Sequence, residues 1–241
     1  MEYLESMNNC ETLDGISGEY SIIGKFRLKD DGEFKNILHN IDELMSKSFF
    51  KQYRSINVIR CYKESGIILK EVTGKIGLDS LDLKILEILQ YPSQNTKKCT
   101  PITTIEISQI LTKLGFPISQ PAVFMRMKRL EENNIILKRA VVINHQQVKN
   151  SIKFILRIKI NPKNYETVAI SELTKMSEIS DLYRTNEDYG LLSIIRVEDV
   201  EEYNIFLMRL YSSKDILDTQ STLVLDERKQ LSVFNKEYPT E

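Results

Sequence analysis

The residues with the clearest chemical role are six cations between positions 113 and 139. Only two carboxylates lie in this stretch, so its net charge is +4, which leaves −5 for the rest of a chain whose total is −1. Lysine and arginine at this density can neutralise nucleic-acid phosphates, and only the contacting face needs to be basic. The six cations are Lys113, Arg126, Lys128, Arg129, Lys138 and Arg139. The stretch therefore predicts a local contact with DNA on an acidic protein.

Residues 119–134 form the element that would present these cations. Ser119 can cap a helix, and Pro121 fits the first turn because its missing N–H would have no helical partner there. Asn133 and Asn134 tolerate the left-handed conformation that ends many helices. Both ends of a helix are thus marked.

One side of this predicted helix is apolar. Val123, Met127 and Leu130 recur at spacings of four and three, so they should pack on a neighbouring helix. The face opposite is neutral near its start and basic further along, which suits insertion into a major groove. A solvated basic helix is the alternative that this element alone leaves open. The outward residues are Pro121, Met125 and Lys128, with Ala122 and Arg129 on one shoulder and Phe124 on the other.

The side chains of this helix divide into three kinds of predicted DNA contact. Ser119 and Gln120 can approach phosphates or base edges, whereas Ala122 and Met125 can contact thymine methyl groups. The cations can bind phosphate or guanine. The predicted DNA-binding residues are Ser119, Gln120, Ala122, Met125, Arg126, Lys128, Arg129, Lys138 and Arg139.

Two further helices are predicted before this one. Residues 78–90 begin with Asp79 as a cap, and Asp82 lies in the first turn, where the helix dipole favours a carboxylate. Thr103 or Thr104 can cap the next helix, which ends at Gly115. Three short helices, the last two joined by a glycine-containing turn, are typical of a helix-turn-helix unit.

The C-terminal part predicts a mixed αβ domain. Residues 151–160 alternate between apolar and other side chains, as in a strand with one buried face. The order strand, helix, strand, strand, helix, strand predicts a ferredoxin-like sandwich. After the first strand, the predicted elements are a helix at about 165–177, strands at 179–185 and 189–197, a helix at 201–211 and a strand at 220–227.

Part of this plan occurs twice. Sliding the chain by 169 residues superposes like residues in one ungapped register, which indicates an internal duplication. The N-terminal copy contains strands predicted at 20–28 and 54–62 and a helix at 33–46, but it lacks the first strand and most of the first helix. Its sheet must therefore be completed by other parts of the chain or by a partner. The matched pairs include Tyr20 with Tyr189, Arg27 with Arg196, Asp30 with Asp199, Ile37 with Phe206, and Leu13 with Leu182.

Composition excludes several classes of protein. The 41% apolar content suits a globular core, whereas no uninterrupted apolar run approaches the length of a membrane span. Cys10, Cys61 and Cys99 are far apart, so they suggest neither a disulfide framework nor a zinc site. The acidic N-terminus is unlike a signal peptide. We expect a cytoplasmic protein that needs no metal or cofactor and has no membrane partner.

These features together resemble the Lrp/AsnC, or feast/famine, family of transcription regulators. The resemblance covers about residues 78–230, and its order and spacing are fairly specific. The longest matching pieces are LDSLDLKIL, with Leu78, Asp79, Asp82, Ile85 and Leu86, and the segment with Ser119, Val123, Arg126, Leu130, Glu131, Ile135 and Ile136.

The resemblance implies partners as well as a fold. Subunits would pair through their C-terminal sheets into a homo-oligomer, and two recognition helices would then bind half-sites about 34–36 Å apart. A small-molecule effector would bind the C-terminal domain. However, the turn NEDYG at 186–190 departs from the family's usual Gly–x–Tyr/Phe–Asp turn, and Asn134 replaces a usual glycine.

The predicted fold class is α+β, with a winged-helix-like helix-turn-helix domain, a ferredoxin-like βαββαβ sandwich and a partial N-terminal ferredoxin-like unit. The predicted parts are the partial αβ unit (1–66), a linker (67–77), the helix-turn-helix DNA-binding domain (78–136), an extended linker (137–150), the effector and oligomerisation domain (151–230) and a tail (231–241).

The predicted function is sequence-specific regulation of transcription on double-stranded DNA, and not enzymatic catalysis. One alternative is a siroheme decarboxylase, because such enzymes resemble the same architecture. That chemistry would draw on His39 and His145, the two histidines of the chain. Another alternative is an adaptor that has lost DNA binding and acts by oligomerising, which Phe124 and Met125 on the outer face favour.

Overall fold

The computed structural model describes residues 2–7, 9–47, 52–69, 77–90, 102–137 and 151–230. These residues divide into two compact units. The helical unit is formed by residues 77–137. The αβ unit combines residues 2–69, here called the N-terminal copy, with residues 151–230, the C-terminal copy. Outside the described residues lie Lys138, Arg139, Cys99, His145, the predicted tail, and the predicted linker at 137–150 except for residue 137.

The described residues of the helical unit form three helices around one apolar core. Its buried residues come from all three helices, with the side chains of Ile85, Ile107, Leu111, Val123 and Leu130 almost wholly removed from solvent. The helices are α3 (Ser80–Gln90), α4 (Thr104–Lys113) and α5 (Gln120–Glu132). This arrangement confirms the predicted helix-turn-helix elements.

The ends of these helices follow from local sequence. Asp79 accepts a 2.8 Å hydrogen bond from the Asp82 amide, and Thr103 forms a reciprocal capping box with Glu106. Gly115 ends α4 with a φ of 88°, and Asn134 ends α5 with a φ of 56°. The expectation for Ser119 is only half met, because it occupies the N-cap position but its side chain accepts no capping hydrogen bond.

The C-terminal copy has the predicted ferredoxin-like order. Its four strands lie in the sheet order β8-β5-β7-β6, and the helices pack on one face. The apolar side of β5, from Phe154 to Ile160, is buried beneath them. The elements are β5 (Ile152–Ile160), α6 (Tyr165–Ser171), β6 (Ile179–Thr185), β7 (Leu191–Val197), α7 (Val200–Tyr211) and β8 (Ile216–Gln230).

The N-terminal copy adds its strands to both sides of this sheet. Strand β1 pairs with β8, and β3 pairs with β6, so eight strands run in the order β2-β1-β8-β5-β7-β6-β3-β4. The incomplete copy is thus completed within the chain. Its elements are α1 (Glu2–Ser6), β1 (Cys10–Ile16), β2 (Ile22–Phe26), α2 (Asp31–Ser46), β3 (Val58–Glu64) and β4 (Ile67–Ile68).

The structure confirms the internal repeat. Shifting β1 by 169 residues places it on β6, residue for residue. Asp30 and Asp199 cap equivalent helices, each accepting a 2.8 Å hydrogen bond from the amide three residues later. The amides of Arg27 and Arg196 likewise bond the carbonyls of Asn9 and Glu178 at 2.9 and 2.8 Å.

Candidate DNA-binding surface

The outer face of α5 is open to solvent, as predicted. Val123, Met127 and Leu130 are buried against α3 and α4, and the opposite side exposes Pro121, Met125 and Lys128. Because the inner stripe is fixed by the core, these outward positions are also fixed. Phe124, on the shoulder, is exposed as well. The face combines large apolar side chains with a cation.

Arg126 and Arg129 do not extend freely from this face. The Arg126 guanidinium lies 2.6 Å from Asp79 Oδ2 and 2.7 Å from Asp82 Oδ1, while Arg129 pairs with the other oxygen of Asp82. Asp82 is 0% exposed. A buried carboxylate is costly unless it is paired, so the two arginines stabilise the N-terminus of α3 and join α5 to it.

Asp79 responds to the same contacts. Burial raises the pKa of its carboxyl, but the Asp82 amide and the Arg126 guanidinium outweigh burial and hold the pKa below its ordinary value. Asp79 therefore stays ionised and continues to attract Arg126 at neutral pH. The group formed by Asp79, Asp82, Arg126 and Arg129 is called the α3–α5 clamp below.

Sequence reasoning found the four residues of this clamp but not their pairing. Asp82 was predicted as a first-turn carboxylate, and the arginines as DNA ligands. The contact joins positions 44 to 47 residues apart, which periodicity within one helix cannot relate. The signal in the sequence is Asp82, a second acid three residues after the capping Asp79. Two acids so close together at the start of a helix can require a cation from another helix.

The other predicted contact residues differ in their exposure and in the partners that their side chains already have. The Gln120 amide donates to Thr104 Oγ1 at 3.0 Å, Ser119 is exposed, and Ala122 is half-buried. Lys128 is 54% exposed in its side chain and lies 3.7 Å from Glu132, a surface pair that contributes little to stability. Lys128 is therefore the cation of α5 that is best placed to exchange its partner for a phosphate.

A shallow, open depression of about 470 Å³ lies on this surface. Its lining mixes the apolar Met125 with charged side chains, and the cations outnumber the acid. The lining residues are Met125, Arg126, Lys128, Arg129 and Glu132. Such a surface can contact a phosphate backbone while presenting a thioether to a groove.

No cluster of histidine, cysteine, aspartate or glutamate capable of holding a metal ion occurs among the described residues. Within the same part of the chain, no helix combines the length and apolarity that crossing a bilayer requires. His39, named for the enzymatic alternative, is exposed on α2.

Comparison with known proteins shows the family. Residues 153–234 match the model of the Lrp/AsnC ligand binding domain. The HTH-type transcriptional regulator FL11 of Pyrococcus furiosus is 33% identical over 153 residues, covering 64% of this chain and 93% of the relative. This chain belongs to the Lrp/AsnC family of transcription regulators. A second Lrp/AsnC relative, LysM of Sulfurisphaera tokodaii, is 30% identical over 148 residues, covering 61% of this chain and 95% of that protein.

Solved structures share the Lrp/AsnC fold. A transcriptional regulator of Neisseria meningitidis in complex with L-methionine matches with a TM-score of 0.54 and 22% identity, covering 66% of this chain and 96% of that one. AsnC of Escherichia coli matches with a TM-score of 0.51 and 17% identity, covering 66% and 99%. About a third of the present chain lies outside each match, so it is longer than these relatives.

Proposed function

We propose that this Lrp/AsnC regulator binds a specific sequence of double-stranded DNA in the cytoplasm through the outer face of α5. Lys128 would contact a phosphate, and Met125 with Ala122 would contact thymine methyl groups. Ser119 and Gln120 would approach the backbone or base edges at the start of the helix, and Lys138 and Arg139 would add phosphate contacts beyond it. The observation that carries the proposal is a recognition helix whose core side is buried and whose outer side is open.

We assign Arg126 and Arg129 a positioning role in this function. Each already neutralises a carboxylate of α3, and moving either one to DNA would leave the buried Asp82 less well paired. The clamp instead sets the orientation of α5 relative to α3. Their predicted direct contact with phosphate or guanine is therefore not part of the proposed interface.

Fluorescence anisotropy with labelled duplex DNA at several salt concentrations tests the contact at Lys128. Lys128→Ala should weaken binding to all sequences and reduce the slope of log affinity against log salt by about one, because one phosphate contact is lost. Lys35→Ala, which removes an exposed cation from α2 in the αβ unit, is the matched control. Equal effects of the two changes would contradict the proposed interface.

The positioning role predicts a different signature. Arg126→Ala should lower both the stability of the helical unit and DNA affinity, while leaving the salt slope close to that of the parent. Arg126→Lys should restore part of the stability because a cation returns to Asp82, although a lysine ammonium lacks the rigid planar set of donors of a guanidinium. If Arg126→Ala reduced the salt slope of DNA affinity but not the stability of the helical unit, Arg126 would instead be a DNA ligand.

The adaptor alternative is favoured by one observation, the exposure of both Phe124 and Met125 on the recognition helix. A groove-facing helix usually carries more polar side chains. Anisotropy with random and selected duplexes distinguishes the adaptor from the regulator. A DNA-binding regulator loses affinity steeply as the salt concentration rises, whereas an adaptor shows no binding at any salt concentration.

The regulator is favoured over siroheme-decarboxylase-like chemistry because the curated relatives are named as transcriptional regulators. We propose that the chain is not an enzyme. Titration with siroheme should leave the absorption band of the tetrapyrrole in place, and a shifted band with turnover would overturn this assignment.

A small-molecule effector is part of the proposal because the family-model match is to a ligand-binding domain. In this chain Glu187, in the turn at 186–190, is held between Arg54 and Arg157. L-methionine, bound by the Neisseria relative, is the first probe. A concentration-dependent rise in melting temperature with an amino acid would support an effector, and no rise with any of the twenty would exclude an amino acid as the effector.

A further inference from the structure

Two strand pairings join the N-terminal and C-terminal copies, and they have the same register. In the first, Leu13, Asp14, Gly15 and Ile16 oppose Lys229, Glu227, Asp226 and Val224. In the second, Leu182, Tyr183, Arg184 and Thr185 oppose Lys63, Cys61, Arg60 and Val58. Adding 169 to each β1 number and subtracting 166 from each β8 number converts the first set of pairs into the second. Each ladder also contains two places where the register shifts, and the same renumbering superposes these places.

Side-chain and backbone bonds between the copies obey the same relation. Lys229 Nζ donates to the Met7 carbonyl at 2.8 Å, and Lys63 Nζ donates to the Met176 carbonyl at 2.9 Å. Met7 and Met176 are equivalent in the repeat. In the same way the Ser17 amide bonds the Leu223 carbonyl at 3.0 Å, and the Asn186 amide bonds the Asn57 carbonyl at 3.2 Å.

Each copy therefore pairs with the other through the same two strands, β1 and β3 in the N-terminal copy and the equivalent β6 and β8 in the C-terminal copy. Contacts in which one surface meets its own equivalent define the isologous interface of a two-fold dimer. Here the two participants are parts of one chain.

This pairing is more than a contact between edges. Asp14 of β1 and Lys153 of β5 form a 2.6 Å ion pair in which both side chains are almost wholly buried. Tyr62 of β3 is buried within the apolar core of the C-terminal copy, and its hydroxyl donates to Glu166 at 2.6 Å. Opening the pairing would expose this core residue and leave Lys153 without one of its carboxylates.

The pairing also occupies part of both edge strands of the C-terminal four-stranded sheet. Strands β8 and β6 would be edge strands in the C-terminal copy alone, and open edges are templates for pairing with another chain. In this chain β1 pairs with residues 224–230 of β8, and β3 pairs with residues 182–185 of β6. A second molecule therefore finds these parts of both edge strands already paired.

We infer that the N-terminal copy occupies, within the chain, the place of a second subunit's αβ domain, so that the whole protein does not pair with another copy of itself through β6 and β8. Two subunits paired through these strands would bring two helix-turn-helix units, whereas this chain brings one. Resting on the proposed function, the inference has a consequence for DNA, namely that one chain binds one half-site. Any homo-oligomer must then use another surface.

An engineered disulfide tests the pairing without DNA. A Cβ added at Gly15 would lie 3.4 Å from Asp226 Cβ, close to the usual separation in disulfides, so Gly15→Cys with Asp226→Cys should oxidise readily. The full-length chain would carry alanine at the three native cysteines. After oxidation and denaturation we expect a covalently closed monomer on non-reducing electrophoresis. Covalent dimers, or a pair that stays reduced, would overturn the inference.

Two controls protect this experiment. Asp226→Cys alone should form no link within the chain. Val58→Cys with Thr185→Cys tests the equivalent ladder if the first pair does not fold, as judged by circular dichroism. It should also give a closed monomer, and covalent dimers from it would again contradict pairing within the chain.

A second arm measures DNA stoichiometry with the locked protein and its reduced form. On a duplex with one half-site, the locked and the reduced protein should each bind with a stoichiometry of one chain per duplex. Their affinities should agree within about twofold, well below the tenfold difference that corresponds to about 1.4 kcal/mol. Cooperative binding that requires two half-sites would overturn the DNA consequence. A closed monomer that binds no duplex at any salt concentration would count against the proposed function alone, because the pairing within the chain would still be demonstrated.

Discussion

The N-terminal and C-terminal copies share a plan but are stabilised in different ways. The C-terminal copy has two helices over four strands and a large continuous core. In the N-terminal copy the buried apolar residues among those described are Cys10, Leu13, Ile37 and Tyr62, and Tyr62 belongs to the other copy's core. A half-domain with so small a core gains its stability from strand pairing with its neighbour.

The equivalent helices show this difference directly. Tyr203, Phe206 and Leu210 of α7 are buried, whereas Ile37 is the buried residue of α2. Among the described residues, β5 and α6 have no N-terminal counterparts. Because α2 has fewer neighbours, Phe34, Leu38 and Ile41 remain only half-buried. The comparison teaches that duplication of a pattern does not duplicate its core.

The largest effect is expected at the equivalent core positions Phe206 and Ile37. Phe206→Ala should lower the free energy of unfolding by about 3–5 kcal/mol, and Ile37→Ala by about 2, because the less crowded site can relax around the missing atoms. Urea unfolding measures both values. Equal losses would show that the N-terminal copy has a core as tightly packed as its counterpart.

Hydrogen exchange extends this prediction. Since the strands of both copies form one sheet, Phe206→Ala should also reduce amide protection in β1, which belongs to the N-terminal copy. Protection that falls only in the C-terminal strands would mean that the two copies open independently.

The next effect concerns carboxylates in each copy. Burial raises the pKa of Glu227, but Arg196 and Lys153 outweigh it and hold the pKa below its ordinary value; Lys25 and Arg27 do the same for Glu64. Glu227→Gln should cost about 1.5–3 kcal/mol at pH 7, and the more exposed Glu64→Gln should cost about 1.5 kcal/mol.

The pH dependence of these two variants follows from the lowered pKa values. Each carboxylate stabilises the fold fully above its unfolded pKa of about 4.3, and this stabilisation is lost as the pH falls through the lower folded pKa. The difference between parent and variant should therefore narrow below about pH 4. A difference that is constant from pH 7 to pH 3 would contradict the ionic cause.

The smallest effect should be the same in both copies. Asp30→Ala and Asp199→Ala each remove a helix cap with a 2.8 Å hydrogen bond, and each should cost about 1 kcal/mol. Thermal unfolding of the two variants is the measurement. A neutral Asp30→Ala beside a costly Asp199→Ala would mean that α2 contributes nothing to the stability of the paired unit.

Local patterns predicted the helices and most strands. Asp79, Thr103, Gly115 and Asn134 mark helix ends in the sequence and do so in the structure. Boundaries were less accurate, because the helix expected to reach residue 177 ends at Ser171 and is followed by a short 3₁₀ turn at Leu173–Lys175.

Strand β1 was not recognised as a strand for a physical reason. Glu11 and Asp14 are charged yet buried, which obscures the alternation that identifies a half-buried strand. Their partners, Arg27 for Glu11 and Lys153 for Asp14, are remote in sequence. Only the repeat, which aligns Leu13 with Leu182, indicated that this segment had a structural counterpart.

By itself, the sequence determined the helix-turn-helix unit, the ferredoxin-like order and the existence of a second, incomplete copy, because caps, apolar periodicity and repetition are all local or collinear properties. Tertiary structure alone decided that Arg126 and Arg129 pair with Asp79 and Asp82, and that β1 and β3 pair with the edge strands of the C-terminal sheet. Those outcomes depend on which charges and strand edges meet in space, and burial makes each of them costly to leave unpaired.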